Sequence, residues 1–261
     1  MRTRPVDLDS IARDYSALYP GIEDRERRER KGRKVASIIG ETVAGKAIGV
    51  ILDVGCSNAI LLDTVSRELG PRLALGVDMD SRALPVPTDL RKCVAGSGLY
   101  LPVRTESVDV VICNHTYEHV PDAETLLDEI HRVLKRGGIA YLGAMNASWP
   151  VEPHYKVPFL HMMPDRMSRP IMRLMGYPWG YLEKPLGLKE LRKLVEGFEI
   201  KDYTLSAIAD PDRYHARDVV PDLHRKRLVV LLSRAFYRFL PGYLWVLEKK
   251  QEDASRSGPP R

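Results

Sequence analysis

Apolar residues in the first half of the chain fall into short unbroken runs separated by longer mixed segments. Val50–Val54, Leu73–Val77, Val108–Cys113 and Ile139–Leu142 are the runs. Each has the length of a strand, and each is too uniformly apolar for a strand with one wet face. The intervals after the first three are long enough for crossover helices or loops, which is the rhythm of a parallel sheet covered by helices on both faces. Upstream, Val35, Ile38, Ile39 and Val43 supply apolar positions behind a charged stretch, and Gly45 and Gly49 close that segment. Residues 1–48 therefore read as a helical segment and 49–250 as an α/β domain.

The rhythm stops between Asn146 and Pro185, where seven prolines, two tryptophans and five methionines collect; this predicts an irregular insertion placed as a lid (146–185). A helix is expected at Leu188–Val195, a strand at Phe198–Leu205, a second insertion over 206–241 and a last strand at Tyr243–Leu247. The tail Gln251–Arg261 reads as disordered. Within the second insertion, helical spacing puts Leu228, Leu231, Leu232, Ala235, Phe236 and Phe239 on one arc, with Arg227, Arg234 and Arg238 along its flank. Such a helix either packs its apolar arc on the domain or lays it on an anionic membrane surface or a lipid-linked substrate.

Composition changes this picture little: 44% hydrophobic and 29% charged residues are ordinary for a globular protein. No stretch approaches the ~20 apolar residues of a membrane span, and the basic start lacks the apolar run of a secretory signal. The expected location is cytoplasmic, with a peripheral membrane contact through 225–240 as the added reading. Cys56, Cys93 and Cys113 have no metal-type spacing, so reduced, buried thiols and no metal site are expected. Much of the net charge of +5 lies in Arg25–Lys34, with seven basic residues against two Glu. That run reads as a solvated helix face, or alternatively as a nucleic-acid surface.

The candidate chemistry begins where the first run meets the next helix, at Asp53-Val54-Gly55-Cys56-Ser57-Asn58-Ala59. A helix start offers unpaired amides, and small residues let a ligand approach the main chain. The G-x-G-x-x-G fingerprint is not met, since Ser57 and Ile60 stand at its second and third glycines, and no G-x-x-x-x-G-K-[ST] loop is present. A tight strand-to-helix junction is the plain alternative. Asp78 ends the second run 23 residues after Gly55, where a carboxylate can take ribose hydroxyls; such an acid can equally be a helix cap.

Four segments in order carry a resemblance. The 50–59 turn resembles V-L-D-V-G-C-G-x-G, GSGLYLP at 96–102 resembles G-D-A-x-x-L-P, SVDVVICNHTYEHV at 107–120 resembles S-F-D-V-V-x-x-x-x-x-L-E-H-V, and EIHRVLKRGG at 129–138 resembles E-x-x-R-V-L-K-P-G-G. Together they resemble the class I S-adenosylmethionine-dependent methyltransferases of the type 11 group over residues 50–143. The resemblance implies a Rossmann-like, seven-stranded, mostly parallel sheet, preceded by helices and carrying two insertions that form a lid.

It also implies S-adenosylmethionine as cofactor. Asp53, Gly55, Cys56 and Ser57 would hold its amino-acid and ribose edge, Asp78 its ribose hydroxyls and Met79 its adenine. Ser97 and Gly98 would face the adenine amino group, Asn114 and His115 would lie beneath the methionine portion, and Gly137 and Gly138 would turn the chain into the fifth strand. Ser57, Ala59 and Ser97 depart from the pattern, two replacing glycines and one an acid. The implied activity is methyl transfer to a small-molecule, glycan or lipid-linked acceptor at oxygen, with His119, His154 and His115 as candidate bases. The alternatives are a cofactor-binding module without turnover and a nucleic-acid methyltransferase; Asn114-His115-Thr116-Tyr117 stands where base methylation often uses Asn-Pro-Pro-Tyr.

Overall fold

The computed structural model describes residues 24–152, 155–177, 180–217 and 226–250. In chain order it runs α1 (Arg25–Val43), β1 (Val50–Val54), α2 (Ile60–Leu69), β2 (Leu73–Asp78), β3 (Arg91–Ala95), β4 (Val108–Asn114), a 3₁₀ turn (Tyr117–His119), α3 (Ala123–Val133) and β5 (Leu134–Met145). A second 3₁₀ turn (Leu160–Met162), α4 (Asp165–Leu174), α5 (Leu188–Leu194), β6 (Phe198–Asp202) and α6 (Thr204–Ala209) follow, and then α7 (Lys226–Ala235), a third 3₁₀ turn (Tyr237–Phe239) and β7 (Gly242–Lys249).

The strands form one seven-stranded sheet in the order β3-β2-β1-β4-β5-β7-β6, parallel except for β7, which runs antiparallel to β5 and β6. Side chains alternate across it. Ile51, Val110, Ile112 and Tyr141 face α1, α2 and α6, and Leu52, Val111, Leu142 and Trp245 face α3 and α5. Strands β1, β2, β4 and β5 are apolar because both faces are covered. The strand order reverses between β1 and β4, so a crevice opens at their carboxyl ends, where open α/β sheets receive ligands.

Several expectations are corrected. The strand at 198–205 ends at Asp202, whose Oδ1 accepts the Thr204 amide at 2.8 Å and starts α6. Leu134 already belongs to β5, so Gly137 and Gly138 lie inside that strand, next to a register shift at Val108/Val110. β3 escaped the hydrophobic pattern because it is an edge strand with only Cys93 buried. The basic run is not simply solvated: Arg28 is half-buried and Lys34 is buried, while Arg25, Arg30 and Arg33 pair along the helix with Glu26 and Glu29. The expected tail, residues 251–261, lies outside the described residues, as does all of the expected helical stretch before Asp24. Among the described residues no helix is long and apolar enough to cross a membrane.

Close contact between α1 and α2 matters for the site. A Cβ on Gly32 would stand 2.6 Å from Thr64 Cβ, so the glycine lets α1 lie against α2. That brings Arg28, one turn earlier, to the end of β1.

Candidate functional site

The turn after β1 keeps a glycine-like backbone although two of its expected glycines are missing. Gly55, Ser57 and Ala59 have φ of +80°, +48° and +55°, and in this left-handed region a Cβ is sterically costly. Three contacts hold the shape. The Gly55 amide donates to Val77 O at 2.8 Å, and the Ser57 amide donates to Asp78 Oδ2 at 2.7 Å, while Asp78 Oδ1 takes the Asp80 amide. Two residues beyond β4, Thr116 Oγ1 donates to Val54 O at 2.9 Å and stands 2.7 Å from where a Cβ on Gly55 would sit. Gly55 is therefore required both by its φ and by Thr116.

Charge converges here. Asp53 is buried, and burial pushes its carboxyl up to about 7; Arg28 pulls it back and Asp78 adds to the rise. Asp78 is also raised by burial, against the pull of the Asp80 and Ser57 amides. Arg28 Nη1 donates to Asn58 Oδ1 at 3.0 Å. Burial lowers the Arg28 guanidinium, opposed by Asp53 and Asp78. Ser57 Oγ is buried and has no hydrogen-bond partner among the described residues.

The remaining expected contacts differ in kind. Cys56 turns its thiol into the core, where Cys56 Sγ and Cys93 Sγ lie 2.7 and 2.8 Å from the position of a Cβ on Gly76, so only its backbone borders the turn. Met79 is partly exposed beside Asp78. Ser97 Oγ accepts the Leu99 amide at 3.2 Å, and Gly98 packs so closely on Leu126 and Val54 that a Cβ would sit 3.0 and 3.1 Å from them. Asn114 Oδ1 lies over Gly143 of β5.

Of the candidate bases, His115 sits directly at the end of β4 with φ of +56°. Its Nδ1 lies 3.2 Å from Oε1 of the fully buried Glu118, and its Nε2 has no partner among the described residues. Burial would raise the Glu118 carboxyl, but the hydrogen bond and charge of His115, with His119 adding to them, hold it below the usual range. His119 thus contributes to the electrostatics of the same cluster. His154 lies outside the described residues. The first insertion returns over this turn, with the Lys184 amide donating to Glu118 O at 2.7 Å and the Leu186 amide to the Tyr117 hydroxyl at 3.0 Å.

Arg28, Asn58, Thr116 and the Glu118 carboxylate complete the site and were not assigned to it by sequence reasoning. Glu118 alone carried a signal, because a spacing of three residues suits a carboxylate–histidine contact.

Residues 52–142 match the family described as "Methyltransferase domain". A ubiquinone biosynthesis O-methyltransferase from Cupriavidus pinatubonensis is 32% identical over 40% of this chain and 44% of its own length. An arginine-hydroxylase NDUFAF5, mitochondrial, from Danio rerio is 29% identical over 45% of this chain and 36% of its own. The chain thus spans less than half the length of these curated relatives. Among solved structures, the plantazolicin methyltransferase BpumL, in complex with a monoazolic desmethylPZN analog and SAH, superposes with a TM-score of 0.56 at 14% identity, covering 93% of this chain and 95% of its own; that likeness is one of fold. With the reversed strand order, the glycine-like turn and the acid ending β2 in place around it, the matched segment 52–142 is a methyltransferase domain set in a Rossmann-like, seven-stranded sheet.

Proposed function

We propose that this protein binds S-adenosylmethionine at the turn after β1 and transfers its methyl group to a hydroxyl of a small-molecule acceptor, a glycan or lipid-linked compound being the class its proline-rich insertion suits. The observation that carries the reading is the buried, partnerless Ser57 hydroxyl, set in a backbone that holds positive φ without glycine. An orphaned buried donor costs about 1–3 kcal/mol, which a ligand hydrogen bond would offset. The donor set also fits the cofactor. Asp53 and Arg28 with Asn58 complement an ammonium and a carboxylate, and Asp78 suits a vicinal diol while it positions the Ser57 amide.

When bound, S-adenosylmethionine supplies an activated methyl group with its leaving group already attached. The chain's own tasks are then alignment, exclusion of water and removal of the acceptor proton. His115 Nε2 is the proposed proton acceptor. Glu118 fixes the ring through Nδ1 and stabilises the charge that His115 gains. The Lys184–Leu186 segment, tied to the Tyr117–His119 turn, restricts water at that edge. Methylation at oxygen is supported by this pair and by the name of the Cupriavidus relative.

A second reading, a cofactor-binding module without methyl transfer, is favoured by the strained Ser57 and Ala59 and by the neutral Ser97. Calorimetric titration with S-adenosylhomocysteine, followed by labelled-methyl transfer to a panel of quinols, glycans and lipid-linked sugars, separates the two. Binding with turnover supports the proposal, binding without turnover on any acceptor favours the module, and absence of binding removes both.

A further inference from the structure

The helix expected over 225–240 is described from Lys226, ends at Ala235 and gives way to the 3₁₀ turn Tyr237–Phe239, and together the two do not bury their apolar arc. Leu228, Leu231, Leu232, Phe236 and Phe239 are 43–63% exposed, and Ala235 between them is exposed as well. The chain is seated by the opposite side. Tyr237 hydrogen bonds to Asp202, takes the Trp245 indole N–H at 3.3 Å and stacks near Tyr243, while Leu240 packs on the core. Its orientation is thus fixed by its own anchors, and the apolar arc is what they leave outside.

A second exposed apolar surface lies across the end of β5. Met167, Leu174 and Met175 on and after α4, with Phe159 and Met162 just before it, are exposed, while Ser168 and Met172 form the packed side. Both segments are tied to the end of β5, at Asn146 and Ala147. Asn146 Nδ2 donates to Arg238 O and Leu240 O at 2.9 and 2.7 Å, and the His161 ring nitrogen Nε2 lies 2.9 Å from Ala147 O. Exposed arginines lie in both segments, Arg227, Arg234 and Arg238 in one and Arg166 and Arg173 in the other, where Arg169 pairs with Asp165, and the segment 226–240 contains no acidic residue.

We propose that these two surfaces form one docking face for an anionic phospholipid membrane. Clusters of exposed large apolar side chains are unusual on a monomer in water, and apolar side chains bordered by arginine match the depth profile of an anionic bilayer, with acyl chains beneath phosphate headgroups. The face borders the carboxyl edge of the sheet, where β5 ends and the crevice opens. If the proposed function holds, it brings that crevice to acceptors dissolved in the membrane; docking itself requires neither cofactor nor acceptor.

The test is sedimentation of the full chain with vesicles of phosphatidylglycerol and phosphatidylcholine (1:1) and of phosphatidylcholine alone, at low and high salt, with ultracentrifugation of the protein without lipid. Selective, salt-sensitive binding to the anionic vesicles is expected. Leu231→Glu/Phe236→Glu should lower it by about tenfold or more, since each side chain loses its burial in the acyl layer. Arg234→Gln/Arg238→Gln should reduce the preference for anionic over neutral vesicles. S-adenosylhomocysteine binding by the variants, measured in solution, should match that of the parent, which separates failure of docking from failure of the cofactor reading. Absence of vesicle binding, equal binding by the Glu variant, or self-association that the same substitutions abolish would each overturn the proposal, the last by identifying a second copy as the occupant.

Discussion

The turn after β1 and the helix before β7 relate pattern to burial in opposite ways. In the turn, polar groups are buried: Asp53 and Ser57 sit within the protein and Asp78 is half-buried, and their local geometry is tightly held by Val77, Thr116 and the Asp78 carboxylate. In α7, apolar groups are exposed, and its anchors hold it by the other side. Buried polar groups and exposed apolar ones both carry free-energy costs in the isolated protein. Each cost points to something outside the chain, a small polar ligand in the first case and an apolar surface in the second.

If the turn is a working site rather than a relic, the largest effect should come from the histidine pair. His115→Ala is expected to lower kcat by about 10²–10⁴-fold with cofactor binding little changed. Glu118→Gln should cost less and should move the acidic limb of the pH–rate profile; a change in KM alone would reduce the pair to packing. Glu118 also gives a sign for stability. Its folded value lies below the ordinary one, so its contribution is present above the ordinary Glu range and is lost as pH falls through the folded value.

Next in size is Asp78→Ala, which removes the acceptor for two backbone amides as well as the proposed cofactor contact. Loss of charge-assisted bonds of this kind predicts about 100-fold weaker S-adenosylhomocysteine binding by calorimetry. Unchanged affinity would make Asp78 a turn-former only and break the parallel between buried polarity and ligand.

Asp53 provides a third test. Its carboxyl holds a proton up to about pH 7 when folded, whereas an unfolded Asp releases it near ~3.9. Stability should therefore fall as pH rises through that window, with the penalty complete above it. Asp53→Asn should flatten the slope between denaturation curves taken at pH 5 and pH 8. A slope equal to that of the parent would place the titration elsewhere.

The smallest effect sharpens the comparison most. Ser57→Gly relieves a left-handed Cβ and removes an orphaned hydroxyl, so the ligand-free protein should gain about 1 kcal/mol in chemical denaturation. If affinity for S-adenosylhomocysteine falls at the same time, the hydroxyl is a ligand contact. If both stability and affinity rise, the serine is a burden on the site.

Some of this was legible without coordinates because it is local. Continuous apolar runs mark strands covered on both faces, and an acid ending β2 after a small-residue turn marks a crevice, since strand, turn and helix start are adjacent in the chain. Departures at Ser57 and Ala59 were visible too, although the sequence alone could not say whether the turn would change shape; contacts from Val77, Asp78 and Thr116 keep it. β3 was invisible because an edge strand needs few apolar residues.

By itself the sequence determined the alternating architecture, the cradle at Gly55, the acid at Asp78 and the apolar and basic sides of the segment that forms α7, all properties set by neighbours a few residues apart. Only the tertiary structure decided that Arg28 reaches the end of β1, that Thr116 clamps Gly55 and that Glu118 holds His115. It also decided that the apolar arc of α7 points away from the protein. Periodicity defines which residues share a face, but the packing of distant segments selects which face is covered. Here Asp202, Trp245 and Asn146 made that selection from other parts of the chain.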